Sequence, residues 1–274
     1  VRSLLLARRL TSDNIVSLGL TLNNARIDYA GHTLFRDLTA RLDAGSWTAL
    51  LGRSGCGKSS LLRLLAGLEM PDHHQLELHT DDGRPLVGRI AWMAQQDLLL
   101  PWRRVLDNLC LGDDLHRRPR NVARARELLS AVGLEGREHS WPDALSGGQR
   151  QRVALARTLY QEAPVVMMDE PFSAVDAITR LELHDLASRL LDGRTVLMVT
   201  HDPLEALRLA DQLLVLRPDA REGYGAVLDR LPGLSPPRPV PLDTPALQQA
   251  QAELIARLRD PNEAFIPAAA EVNA

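Results

Sequence analysis

Three short stretches of the chain carry residue types and spacings that suit phosphate chemistry. The first is Gly52-Arg53-Ser54-Gly55-Cys56-Gly57-Lys58-Ser59, which fits the pattern G-x-x-x-x-G-K-[ST]. Glycines let such a loop curl so that successive backbone N–H groups face inward, and a following helix adds its partly positive N-terminus. Lys58 would then reach the outer phosphates of a nucleotide, and the Ser59 hydroxyl a Mg2+ ion. Of the 32 Lys and Arg residues, Lys58 is the one lysine. A compact ammonium enters a tight loop more readily than a guanidinium, so the exception falls where chemistry would demand it.

The second stretch is Val165-Val166-Met167-Met168-Asp169-Glu170, an apolar run that ends in two carboxylates. Asp169 would serve a metal and Glu170 an attacking water; by themselves, two such acids are as often solvated loop residues. Their place downstream of a phosphate loop favours the functional reading, because strand C-termini in open α/β sheets converge on one crevice. The third stretch is Leu145-Ser146-Gly147-Gly148-Gln149-Arg150-Gln151-Arg152, leading into a helix with apolar Val153, Leu155, Ala156 and Leu159. It reads as a second anion-binding helix start. Two such starts exceed what one nucleotide needs within one chain, and a dimer that shares each nucleotide accounts for both.

The elements around these stretches must position them. Apolar alternation predicts strands at Ser17–Leu22 and Thr33–Leu42, and the turn Asp43-Ala44-Gly45-Ser46 leads into a buried strand at Trp47–Leu51. After the glycine loop, a helix is expected from Lys58 to about Leu68, ended by Gly67 and Pro71. A short strand is expected at Arg89–Ala94, then a helix-rich insert with helices at Pro101–Asp114 and Asn121–Val132. Beyond Gly147 come a helix to Tyr160, strand Val165–Met168, helix Asp176–Leu191, strand Thr195–Thr200, helix Pro203–Leu209 and strand Gln212–Leu216. Such alternation implies a parallel sheet. Past Pro218, Leu231–Pro245 holds six prolines and reads as an extended connector before a helix at Ala246–Leu258.

Composition narrows the classes. The formal net charge of −3 names no nucleic-acid partner, and 45% hydrophobic with 24% charged residues is ordinary for a globular protein. No apolar run approaches the roughly 20 residues of a spanning helix, and Leu4–Ala7 is too short for a secretory core. With only Cys56 and Cys110, a disulfide framework is not expected and a reducing cytoplasm is.

Taken in order, the phosphate loop, Leu145–Gln149, Val165–Glu170 and His201 resemble the ATP-binding subunit of an ABC transporter, over roughly Leu18 to Arg217. The Leu-Ser-Gly-Gly-Gln signature discriminates, because plain phosphate-loop GTPases and kinases lack it. The resemblance implies an α/β fold of the P-loop NTPase class: an ABC-type ATPase with a RecA-like parallel-sheet core, an N-terminal antiparallel β-subdomain and a helical subdomain carrying the signature. It implies an ATP-binding domain over 15–231 with its helical subdomain at about 97–160 and a connector and short helix over 232–274, while residues 1–14 read as a flexible arm or an over-called start.

ATP and Mg2+ are the implied cofactors. Gly52, Arg53, Ser54, Gly55, Cys56, Gly57, Lys58, Ser59 and Ser60 would contact the nucleotide, with Tyr29 stacking on adenine unless it is a core aromatic. Ser59, Gln95 and Asp169 would serve the metal, Gln95 also sensing water and joining the subdomains, with Gln96 an adjacent register. Glu170 would handle the water and His201 the γ-phosphate, beside Lys58 and Gln95. Asp176 closes a segment, Ser173-Ala174-Val175-Asp176, that resembles the family's D-loop with Val175 where Leu is usual; Ser60 stands where Thr often does.

The implied mechanism is head-to-tail closure of two copies, each ATP lying between one phosphate loop and the other copy's Ser146, Gly147, Gly148 and Gln149. The implied partners are that second copy, transmembrane permease subunits whose coupling helix would face Leu98–Trp102, and through them a periplasmic or extracellular solute-binding protein. The implied location is cytoplasmic, on the inner face of the membrane. The stretch Met93–Trp102 is most similar to cassettes of nitrate, sulfonate, taurine and hydroxymethylpyrimidine importers, leaning to the last. The tail is expected to be too short for the regulatory barrel of some sugar importers. The alternative is a soluble ABC-type ATPase acting on ribosomes or DNA. Against it, one set of motifs is present, and Lys58 to Ser146 holds no sustained heptads.

Overall fold

The computed structural model describes residues 16–29, 32–68, 73–219 and 225–259, the side chains of Tyr29 and His73 excepted. The expected arm over 1–14 lies outside them. The chain runs through β1 (Leu20–Tyr29), β2 (His32–Leu42), β3 (Trp47–Gly52), α1 (Lys58–Leu65), β4 (His73–Thr80), β5 (Ile90–Met93), α2 (Val105–Leu109), α3 (Leu111–Leu115), α4 (Val122–Ala131), α5 (Gly147–Tyr160), β6 (Val165–Asp169), α6 (Ala177–Leu190), β7 (Thr195–Val199), α7 (Pro203–Leu209), β8 (Gln212–Pro218), β9 (Ala226–Pro232) and α8 (Pro245–Arg259). Among the described residues no helix is long and apolar enough to cross a membrane.

Two sheets form. One is antiparallel in the order β2-β1-β4; the other runs β5-β6-β7-β3-β8-β9, parallel except for the edge strand β9. The inner strands β3, β6 and β7 are buried along their whole length, which is why they read as unbroken apolar runs. Successive side chains alternate between two cores. Val166, Met168, Val196 and Met198 join α5, α6 and α7 on one side, whereas Val165, Met167, Leu197 and Val199 face α1 and the antiparallel sheet on the other. The C-terminal ends of β3, β6 and β7 therefore open between two packed layers.

Several expectations are corrected. The helix after the phosphate loop ends at Leu65, not Leu68, in a Schellman turn: Leu68 N–H donates to Arg63 O, Gly67 N–H donates to Leu64 O, and Gly67 takes φ 68°. The single helix expected over Pro101–Asp114 is two short ones split at Cys110. Its first residues form a separate turn, with Arg103 N–H donating to Leu100 O at 3.0 Å, and buried Asn108 braces that turn by accepting Leu100 N–H and donating to the carbonyls of Leu100, Arg103 and Arg104. The strand expected at Ser17–Leu22 begins at Leu20 and continues to Tyr29 through register shifts between Leu22 and Ala25 and beyond, which break the apolar alternation past Leu22.

Strands β4 and β9 were not anticipated. β4 is a polar edge strand, and β9 gains its identity by pairing with β8. Leu231, Val240, Leu247 and Leu254 join the core that α5, α6 and α7 build, so packing continues past residue 231.

Candidate functional site

The loop between β3 and α1 is shaped by close approaches. A Cβ on Gly52 would lie 2.4 Å from Leu216 O, and Gly57, the N-cap of α1, has φ 96°, so both positions favour glycine. Lys58 is buried, and its Nζ donates to Gly52 O at 2.9 Å and Arg53 O at 3.0 Å, spanning the inside of its own loop. Burial raises the Cys56 thiol above its ordinary value, which leaves it a small packing residue of the loop. Arg53, Ser54 and Gly55 are exposed, and Ser60 is half-buried in the first turn of α1.

Ser59 Oγ donates to Asp169 Oδ1 at 3.1 Å, joining the start of α1 to the end of β6. Burial pushes the Asp169 carboxyl up, opposed by the Ser59 bond and by Arg63 and Lys58. A buried carboxylate beside a hydroxyl is a hard-oxygen pair that a small divalent cation suits. No cluster of three or more His, Cys, Asp or Glu side chains that could hold a metal occurs among the described residues. A Mg2+ ion bound to Ser59 and Asp169 would complete its shell from phosphate and water, its usual habit.

Glu170 stands just past β6 with φ 45°, a left-handed conformation held by its N–H bond to Val199 O at 2.9 Å. That turn sends the side chain toward two partners. Gln95 Nε2 donates to Glu170 Oε2 at 3.2 Å, and His201 Nδ1 lies 3.1 Å from the same oxygen. Gln95 also donates to Ser173 Oγ at 3.4 Å, a residue expected only as part of the D-loop segment; its place beside Glu170 was not foreseen. Gln95, not Gln96, faces this group.

Ser146, Gly147, Gly148, Gln149 and Asp176 form a second group. Ser146 caps α5 in a reciprocal box: its Oγ accepts Gln149 N–H at 3.3 Å, and Gln149 Oε1 accepts Ser146 N–H at 3.0 Å. Asp176 caps α6, accepting N–H bonds from Ile178 and Thr179 and the Thr179 hydroxyl, bonds that hold its carboxyl below the ordinary range. Gly148 joins the two starts, since a Cβ there would meet Thr179 Cγ2 at 2.5 Å. Tyr29 ends β1, and its side chain lies outside the described residues.

Helix α5 is tied to the Gln95 segment by bonds that no motif announced. Gln151 Nε2 donates to Gln95 O at 3.2 Å, Arg150 Nε to Asp97 Oδ2 at 3.0 Å, and Arg157 to the carbonyls of Leu98 and Asp97 at 2.8 and 2.7 Å. Next to this segment Trp102 is 70% exposed and Leu98 56%, an apolar pair left at the surface. The spacing of Arg150 and Arg157 on one helix face was the available signal.

A family model described as ABC transporter matches residues 35–173. The aliphatic sulfonates import ATP-binding protein SsuB 1 of Rhodococcus jostii (strain RHA1) is 48% identical over 201 residues, spanning 73% of this chain and 79% of that protein. The aliphatic sulfonates import ATP-binding protein SsuB of Pseudomonas entomophila (strain L48) is 41% identical over 241 residues, 87% of this chain and 85% of that protein. A solved dimeric bacterial ABC transporter cassette superposes with a TM-score of 0.61 at 28% identity, covering 72% of this chain and 93% of its own.

Proposed function

Because the chain belongs to the ABC transporter family and carries its ATP-binding domain, we propose that it is the ATP-hydrolysing subunit of an importer for a small solute. The observation that carries this reading is the meeting of Lys58, Ser59, Asp169, Glu170, Gln95 and His201 just past the ends of β3, β5, β6 and β7. Lys58 and the loop N–H groups bind the outer phosphates; Ser59 and Asp169 would hold Mg2+, which supplies charge neutralisation when bound. Glu170 takes the proton of the attacking water while Gln95 and His201 fix its orientation, so positioning and electrostatics do most of the catalysis.

Two copies close head to tail, each presenting Ser146–Gln149 and Asp176 to the other's nucleotide. The dimeric state of the related cassette supports this arrangement. The Leu98–Trp102 segment, exposed at Leu98 and Trp102, docks on a permease at the inner membrane face, and α5 passes the docking to Gln95 through Gln151 and Arg157. A solute-binding protein delivers cargo to that permease. The sulfonate importers among the relatives favour aliphatic sulfonates as cargo, over the hydroxymethylpyrimidine branch toward which the Met93–Trp102 stretch leaned.

Equilibrium titration tests the nucleotide site. Lys58→Ala is expected to weaken ATP binding by roughly 10- to 100-fold, the loss of hydrogen bonds from a charged donor. Unchanged affinity refutes the loop assignment. Detergent pull-down from native membranes is expected to bring a permease with a binding protein that prefers alkanesulfonates; ribosomes or DNA factors in its place refute the transport reading.

A further inference from the structure

We propose that a buried chain of hydrogen bonds, anchored at Val240 and running through Arg208, His184 and Glu205 to Thr200, holds His201 in position for its work on the nucleotide. The His201 side chain itself is well exposed. Directly behind it, Thr200, Glu205, His184 and Arg208 are all buried. None of the four touches the phosphate loop in the bonds described above.

The links run in one direction. Arg208 Nε donates to Val240 O at 3.1 Å, and Val240 N–H returns a bond to Arg208 O at 2.9 Å. Arg208 Nη1 lies 3.2 Å from His184 Nδ1, and His184 Nε2 lies 3.1 Å from Glu205 Oε1. A guanidinium only donates, so Nδ1 must offer its lone pair and Nε2 must carry the proton. The imidazole is thereby fixed in one tautomer, neutral, between a cation and a carboxylate. Glu205 Oε2 accepts the Thr200 hydroxyl, and Thr200 Oγ in turn accepts Asp202 N–H at 3.0 Å.

Thr200 is thus bonded on both sides of His201. Its own N–H donates to Leu50 O at 3.2 Å on the central strand, and its hydroxyl takes the N–H of the residue after His201. Asp202 then caps α7 through Leu204 N–H, and Arg180 Nη1 reaches its other oxygen at 3.5 Å. Among the described residues, the chain is also faced by Asp185, which accepts Arg208 Nη2 at 3.3 Å, and by the Phe172 ring, set edge to face 5.2 Å from His184. An apolar cluster could fill this space with equal stability. What a directional chain adds is a single orientation for the peptide on either side of His201.

The inference rests on the reading of His201 as a nucleotide contact, and the experiment separates the two. In the full chain, Thr200→Val keeps the shape and drops the hydroxyl, while His184→Leu and Arg208→Met cut the chain further back. His184→Gln can offer its amide oxygen to Arg208 and its NH2 to Glu205, restoring both links. Displacing a catalytic group by about 1 Å lowers rates by on the order of 100-fold. The three cutting variants are expected to lose roughly 10- to 100-fold in kcat with KM for ATP little changed, and His184→Gln to retain it.

Hydrogen exchange at residues 200–203 without nucleotide is expected to quicken in the cutting variants and not in His184→Gln. Wild-type kcat and exchange in Thr200→Val, His184→Leu or Arg208→Met overturns the chain, as does an equal loss in His184→Leu and His184→Gln. His201→Ala, assayed beside them, tests the underlying reading: full turnover there refutes the role of His201, whatever the exchange data show.

Discussion

Glu170 Oε2 is the point where Gln95 and His201 meet, and the residue holds a left-handed backbone at φ 45°. For a residue other than glycine this costs on the order of 1–3 kcal/mol, and it persists because Glu170 N–H and Glu170 O are both bonded, the latter by Ser173 Oγ at 3.0 Å. Glu170→Gln retains size and polarity but cannot take a proton. Turnover is expected to fall by on the order of 100-fold or more. ATP-bound dimer should then accumulate, visible by size exclusion with ATP; normal hydrolysis with no dimer overturns the assignment. The phosphate loop and the Asp169-Glu170 pair were legible because their chemistry lies in contiguous residues. Ser173 and Gln151 were not, since each matters only through a partner distant in sequence.

At the scale of elements, the starts of α5 and α6 meet at Gly148, where a Cβ would press on Thr179 Cγ2. Gly148→Ala is expected to destabilise the chain by on the order of 1–3 kcal/mol, read as a shift in the denaturant midpoint. Thr179→Ser, which removes that methyl, should recover part of the loss in the double variant. Helix α3 is held differently. Asp114 accepts from Arg120 and Arg103, and these bonds, Arg120 first, hold its carboxyl at about 2 against an ordinary 3.8. A depressed carboxylate pKa contributes stability above its ordinary value and loses it as the pH falls through the folded value. Asp114→Asn should therefore be less stable at neutral pH and lose less than wild type between about pH 4 and 2, followed by circular dichroism. A parallel loss in both proteins contradicts the pairing.

For the whole molecule, residues 232–259 pack as a structural part of the core. Leu254 and Leu247 of α8 are buried against the layer that includes Leu207 and Leu209, and Val240 is pinned by Arg208. Leu254→Ala is expected to cost about 2–5 kcal/mol and to lower the midpoint of one thermal transition; an unchanged midpoint would mean that α8 does not pack there in solution. The sequence by itself determined the order of strands and helices through the nucleotide core and the bounds of α5 and α7, and it offered the residues proposed to carry phosphate chemistry. Periodicity, capping and loop chemistry act over a few neighbouring residues, so they can be read along the chain. Only the tertiary structure decided that β4 and β9 are strands, that the proline-rich tail docks, and that Gln95, Glu170 and His201 converge. These outcomes depend on hydrogen-bond partners and buried contacts supplied by segments far apart in sequence, which no local pattern records.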